Sequence, residues 1–156
     1  MIATALVASA GASVLAQHDD PTILARAIEK QLGKKTNTGA PRVVQIKKGV
    51  KNGKNVLGIS LNANNSPTRA GLQIGVFNDA AKVCKILKGW GWPARVESVM
   101  IGEYYSPPNT GTNNLTHLIF AARIASGKIS ETDWDAFDAR NIPEIMDDVE
   151  VYEPIR

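Results

Sequence analysis

Asn52-Gly53 stands between two stretches of alternating residues, and it dictates how they pair. A two-residue type I′ turn needs positive φ at both central positions, and Asn-Gly is the preferred pair for it. With these two as the turn, Lys51 faces Lys54 and the register follows outward. Val44 then faces Leu61, Ile46 faces Ile59, and Lys48 faces Leu57. Five of those six residues are apolar and all six share one face. The other face carries Gln45, Lys47, Lys51, Lys54, Gly58 and Ser60, with Val56 as the exception. One face in and one face wet is the signature of an antiparallel sheet with a single covered side. A slip of one residue would turn the apolar set to water, so the pattern and the turn specify one register.

The flanking segments supply helices. Asp20-Pro21 pairs a capping residue with a proline suited to the first helical position. Leu24, Ala27, Ile28 and Leu32 follow as an apolar stripe, and Gly33 ends it. Ser66-Pro67 repeats that opening for a longer helix reaching about Lys88, which Gly89-Trp90-Gly91-Trp92-Pro93 stops. Arg95 to Tyr105 has the pattern of a strand, and Ser106 to Asn114, rich in Pro, Gly and Asn, that of a loop. Leu115 to Ile124 fits both the helical and the strand period. Read as a strand, it returns against Arg95 to Tyr105 as a second hairpin. Gly127 then breaks the chain. Ser130-Glu131-Thr132-Asp133 resembles a capping box, which places Trp134 and Phe137 on a short helix. Val149 to Tyr152 has the pattern of a closing edge strand. The expected fold class is therefore α+β, in α-β-β-α-β-β-α order: a mainly antiparallel sheet of two hairpins with helices on one face.

Length sets the domain count. A chain of 156 residues is about one domain, and it buries enough surface to fold without disulfides or metal. Residues 17–156 are read as that single domain. Residues 1–16 form an apolar leader: Ile2 to Ala16 is uncharged, and Gln17-His18-Asp19-Asp20 turns abruptly polar. The stretch reads as a secretory signal peptide, although no Lys or Arg precedes it. The competing reading is an Ala-rich helix packed on the domain. Cleavage would place the protein outside the cytoplasm, periplasmic or secreted, and retention would leave it cytoplasmic. No apolar run reaches the ~18 residues of a membrane span. The one cysteine, Cys84, falls on the apolar stripe with Leu72, Val76, Phe77, Ala80, Val83 and Leu87, and is expected to be buried.

Recognisable catalytic chemistry is absent from the sequence. There is no phosphate-binding Gly-rich loop, no His-Glu-x-x-His, no Cys-x-x-Cys and no Gly-x-Ser-x-Gly. The histidines are His18 and His117. His18 would bind copper only if it became the mature N-terminus, and His117 reads as a surface or hydrogen-bonded residue. Asp133, Asp135 and Asp138 lack the spacing and the Gly of a calcium loop and read as a solvated acidic face. Asn64-Asn65-Ser66 and Asn114-Leu115-Thr116 match the glycosylation sequon, with Pro67 working against the first. No catalytic residue, metal site or cofactor is assigned.

Charge is what remains. Arg26 to Lys54 holds nine basic residues and one acid, whereas the last 26 residues hold nine acids and two bases. Lys47, Lys51 and Lys54 are candidates for contacting phosphates or an anionic surface. Lysine is equally the ordinary residue of a wet strand that must avoid edge pairing. Trp90 and Trp92 offer a small stacking platform or, alternatively, cap the core at the helix-to-strand corner. Three functional readings follow. The leading one is an exported, non-enzymatic binding or interaction module with a protein or anionic surface partner. The second is an intracellular anion- or nucleic-acid-binding protein using residues 26–54, with nucleic acid not the favoured partner. The third is an enzyme whose site matches none of these motifs.

Overall fold

The computed structural model describes residues 20–105 and 117–153. The leader at 1–16, His18, the loop at 106–114 and the second sequon lie outside the described residues. The first helix, α1 (Pro21–Leu32), opens as its sequence dictates: Asp20 Oδ1 accepts from the Thr22 amide at 2.7 Å, and Gly33 ends the helix at φ 93°. Leu24 and Ile28 are its buried stripe.

Strands β1 (Val43–Lys51) and β2 (Lys54–Asn62) form the hairpin. Asn52 and Gly53 take φ of 53° and 75°, as a type I′ turn requires. Ile46 lies opposite Ile59, Lys48 opposite Leu57 and Lys51 opposite Lys54. The expected register fails only at the far end. A bulge between Val43 and Gln45 puts Val43, not Val44, across from Leu61, and Val44 is left 53% exposed. The cause is an anchor just before the strand. The Arg42 amide donates to the Lys34 carbonyl at 2.9 Å, and its own carbonyl accepts from Asn62 at 2.9 Å. With Arg42 so fixed, the strand carries one residue too many for strict alternation, and the bulge absorbs it.

The long helix α2 (Arg69–Gly89) begins two residues later than the Ser66-Pro67 pair suggests. Thr68 is the cap, its Oγ1 accepting from Gly71 at 3.0 Å. Ser66 folds over that turn so closely that a Cβ on Gly71 would meet its Oγ at 2.2 Å. Helix α2 carries the chain across to β3 (Ser98–Tyr105), which lies parallel to β2. Strand β4 (His117–Ala125) then returns antiparallel to β3, so the strand reading of this segment is the observed one over its described residues, 117–124. The final strand, β5 (Asp147–Val151), pairs antiparallel with β4 at the edge. The sheet runs β1-β2-β3-β4-β5 and is mixed, with one parallel step at its centre.

The segment between β4 and β5 differs from expectation. Gly127 lies inside a short helix, α3 (Ser126–Glu131), and Ser130 to Asp133 closes that helix instead of opening another. Trp134 and Phe137 stand on the turns that follow. Tertiary contact outweighs the capping pattern there: the Trp134 indole donates to the Ile129 carbonyl at 2.8 Å and packs on Phe137 with ring centroids 5.0 Å apart. A short α4 (Ile142–Ile145) leads into β5.

The core fills the space between the helices and one sheet face. Leu57, Ile59 and Leu61 of β2, Val99 and Ile101 of β3, and Phe120 and Ile124 of β4 meet Val76, Ala80, Val83, Cys84 and Leu87 of α2. Cys84 is wholly buried, as its place on that stripe implies. Among the described residues, no helix is long and apolar enough to cross a membrane.

Candidate functional site

The hairpin tip and the α2–β3 corner meet at one end of the molecule and enclose a cavity. Lys48, Gly49, Asn55, Val56, Trp92, Arg95 and Val96 line it, and its volume is ≈ 190 Å³. Ligand pockets for whole organic molecules run to about 300–1,000 Å³, so this one suits a single small group.

Trp92 forms its inner wall. It stands in a 3₁₀ turn (Trp92–Ala94) whose entry, Gly91, takes φ of 71°. The indole is wholly buried, yet its Nε1–H has no acceptor among the described residues. A buried donor left unmade costs about 1–3 kcal/mol. Two cations lie over the same ring, Lys48 Nζ at 5.2 Å and the Arg95 guanidinium at 5.6 Å from its centroid. Cation–π attraction is worth roughly 0.5–2 kcal/mol each and positions both charges at the cavity. The site therefore combines two positive side chains with an aromatic wall, and Asn55 is among its lining residues. That donor set is complementary to an anionic oxygen cluster such as phosphate or carboxylate.

The residues expected from sequence divide around this cavity. Lys47, Lys51 and Lys54 share the other face of the hairpin, and Lys54 pairs with Glu97 at 2.5 Å, both largely exposed. Trp92 is at the cavity, as core cap and wall at once. Trp90 does not share a platform with it: half-buried, it lines a separate shallow recess with Gln31, Lys82 and Lys85. Sequence reasoning missed Lys48, Arg95 and Asn55. Lys48 did carry a signal, as the one charged residue on the inward face of the hairpin pattern. His117 is exposed at the start of β4, beside Tyr105.

A second polar group lies inside the fold. Arg42 donates to the Asn62 carbonyl at 2.5 Å and forms an ion pair with Asp79 of α2, both side chains being almost fully buried. Glu103 of β3 is wholly buried, and neither carboxylate oxygen has a partner among the described residues. Burial, reinforced by the Asp79 charge, holds the Glu103 carboxyl well above the usual carboxylate range, against a smaller opposing pull from Arg42. Burial also raises Asp79, and here it outweighs the direct contact with Arg42. The cluster thus places one guanidinium and two acids in the interior, and burial pushes both acids toward the neutral form.

No family model, curated protein or solved structure matches this chain.

Proposed function

We propose that the domain is a binding module for an anionic group, phosphate above all, with the cavity at the hairpin tip as its specific subsite. The observation that carries this reading is the small cavity walled by Trp92, with the Lys48 and Arg95 cations both held over its indole ring. An anion oxygen there would meet the two positive side chains that line the cavity. The exposed Lys47 and Lys51 lie on the same hairpin and extend the positive potential toward a larger anionic ligand.

Export is part of the proposal and rests on the apolar leader. Mass spectrometry of the protein from its native source tests it: loss of the first 16 residues supports export, and an intact N-terminus opposes it.

The binding site is tested by NMR of the Trp92 indole N–H during titrations at low and at physiological salt. Three titrants distinguish the sources of phosphate: inorganic phosphate, a short DNA oligonucleotide and phosphatidylglycerol vesicles. A saturable downfield shift of that resonance, weakened by Lys48→Gln and Arg95→Gln, is the expected result. If none of the three moves it at low salt, the subsite does not exist. If only the oligonucleotide binds and Trp92 stays unmoved, the hairpin lysines bind nucleic acid and the cavity takes no part.

A further inference from the structure

Asn52 is the one asparagine in the sequence that a glycine follows. Both residues of the pair are exposed at the hairpin tip. Neither the Asn52 side chain nor the Gly53 amide has a hydrogen-bond partner among the described residues. Gly53 has no Cβ to shield its nitrogen, and nothing lies within 4 Å of where one would stand. The turn ends the hairpin, so opening it breaks only the closing rung between Lys51 and Lys54. Asn65-Ser66 is the instructive contrast, since serine is also a small follower. There the Asn65 Oδ1 accepts from the Tyr105 hydroxyl at 2.8 Å, and the Asn65 amide donates to Asn37 Oδ1 at 2.8 Å. The Asn65 carbonyl accepts from Asn37 Nδ2, again at 2.8 Å. Side chain and backbone are both held at Asn65, and neither is held at Asn52.

We propose that Asn52 is a site of spontaneous deamidation, and that the reaction unmakes the turn of the basic hairpin. Base takes the Gly53 amide proton, and the nitrogen attacks Asn52 Cγ. The N–Cγ bond forms as the Cγ–Nδ2 bond breaks, and Nδ2 leaves as ammonia with a proton from water. Both groups belong to one dipeptide, so the attack is intramolecular and gains the effective concentration of a ring closure. Water then opens the five-membered imide. Opening at Cγ gives aspartate. Opening at the main-chain carbonyl carbon gives isoaspartate, in which the chain runs through the former side chain. Nothing is oxidised or reduced, and water is the only co-reactant. Either product puts a carboxylate between Lys51 and Lys54 in the chain and lowers the positive charge of the tip. Isoaspartate also adds a methylene to the backbone of a two-residue turn, which is defined by φ of 53° and 75° at its two positions. The end of the hairpin so loosened carries Lys48, Gly49, Asn55 and Val56, one wall of the Trp92 cavity.

The test is incubation of the native full chain for days in mildly alkaline buffer, beside the same chain in guanidinium chloride. Mass spectrometry of chymotryptic peptides then locates every amide-to-acid conversion. In the native chain the conversion is expected at Asn52, with Asn65 intact. In denaturant, where the Tyr105 and Asn37 contacts are gone, conversion of Asn65 rises. Cation-exchange chromatography of the native sample should resolve the converted chain as an earlier-eluting form with a lowered melting temperature. Asn52→Gln, whose longer side chain would have to close a six-membered ring, loses that form. A native chain that keeps Asn52 intact overturns the inference, whatever the denatured sample does. So does a native chain in which Asn65 converts as fast as Asn52, since exposure and freedom at the turn would then decide nothing. An earlier-eluting form that persists in Asn52→Gln does the same, because its charge is lost elsewhere. The reaction needs no ligand, so the result is independent of anion binding.

Discussion

Arg42, the last residue before β1, reaches Asp79 in the middle of α2 and forms an ion pair closed off from solvent. The pair ties the edge hairpin to the helix that packs over the sheet. Removing one partner would leave the other charge buried alone, which costs about 3–5 kcal/mol. Asp79→Ala is therefore expected to lower unfolding free energy by that amount in urea titration. Replacing both partners, as Arg42→Met/Asp79→Leu, should recover much of it, because the loss comes from the stranded charge and not from the pair itself.

Glu103 makes stability depend on pH in an unusual direction. Its folded carboxyl titrates well above the ordinary value of about 4.3. A group raised on folding contributes stability that is fully present below its unfolded pKa and is lost as pH rises toward the folded one. The unfolded chain releases this proton first, at up to ~1.4 kcal/mol per pH unit. Glu103→Gln has no such proton. Chemical denaturation from pH 4 upward should show the wild type losing stability relative to the variant as pH rises. Parallel curves would mean that Glu103 ionises normally in the folded protein.

Cys84 should be inert in the native state. It is wholly buried on α2, and burial alone pushes its thiol far above the ordinary range. A thiol reagent should label it only at the rate of global or local opening, and labelling within seconds would contradict the packing. Cys84→Ser is expected to cost about 1–3 kcal/mol, measured as a shift in denaturation midpoint, because a hydroxyl would be buried there.

Gly53 isolates the backbone contribution of the turn. Nothing lies within 4 Å of a Cβ built there, so a methyl meets no neighbour, but φ is +75°. Gly53→Ala should destabilise by roughly 1–2 kcal/mol through that dihedral alone. A neutral result in thermal unfolding would show that the hairpin shifts its turn type without loss.

The hairpin was legible because turn chemistry and alternation agree over some eighteen residues, and each alone would have given the same register. The order of elements was legible for the same reason. Sequence could not show the bulge at Val43 to Gln45, since it arises from Arg42, whose side chain finds its partner 37 residues away on α2. Nor could it show that Ser130 to Asp133 ends a helix, because the Trp134 contact to Ile129 overrides the local pattern. The candidate site was half legible. Trp92 and the basic hairpin were marked, but the lysine that matters sits on the inward face. Glu103 shared this fate: one acid in an apolar strand is visible in the letters, while its burial is a property of the assembled sheet.

The parallel step between β2 and β3 has a consequence in time. A two-residue turn lets β1 and β2 meet within microseconds, whereas β3 joins only after α2 has formed and crossed the sheet. Until then the Leu57-Gly58-Ile59-Ser60-Leu61 edge of the hairpin stands unpaired, an adhesive strand on a newly made chain. Lys54 before that segment, and Lys47 and Lys48 across from it on β1, repel neighbouring hairpins during the wait. They act as gatekeepers of the folding chain before they serve any ligand.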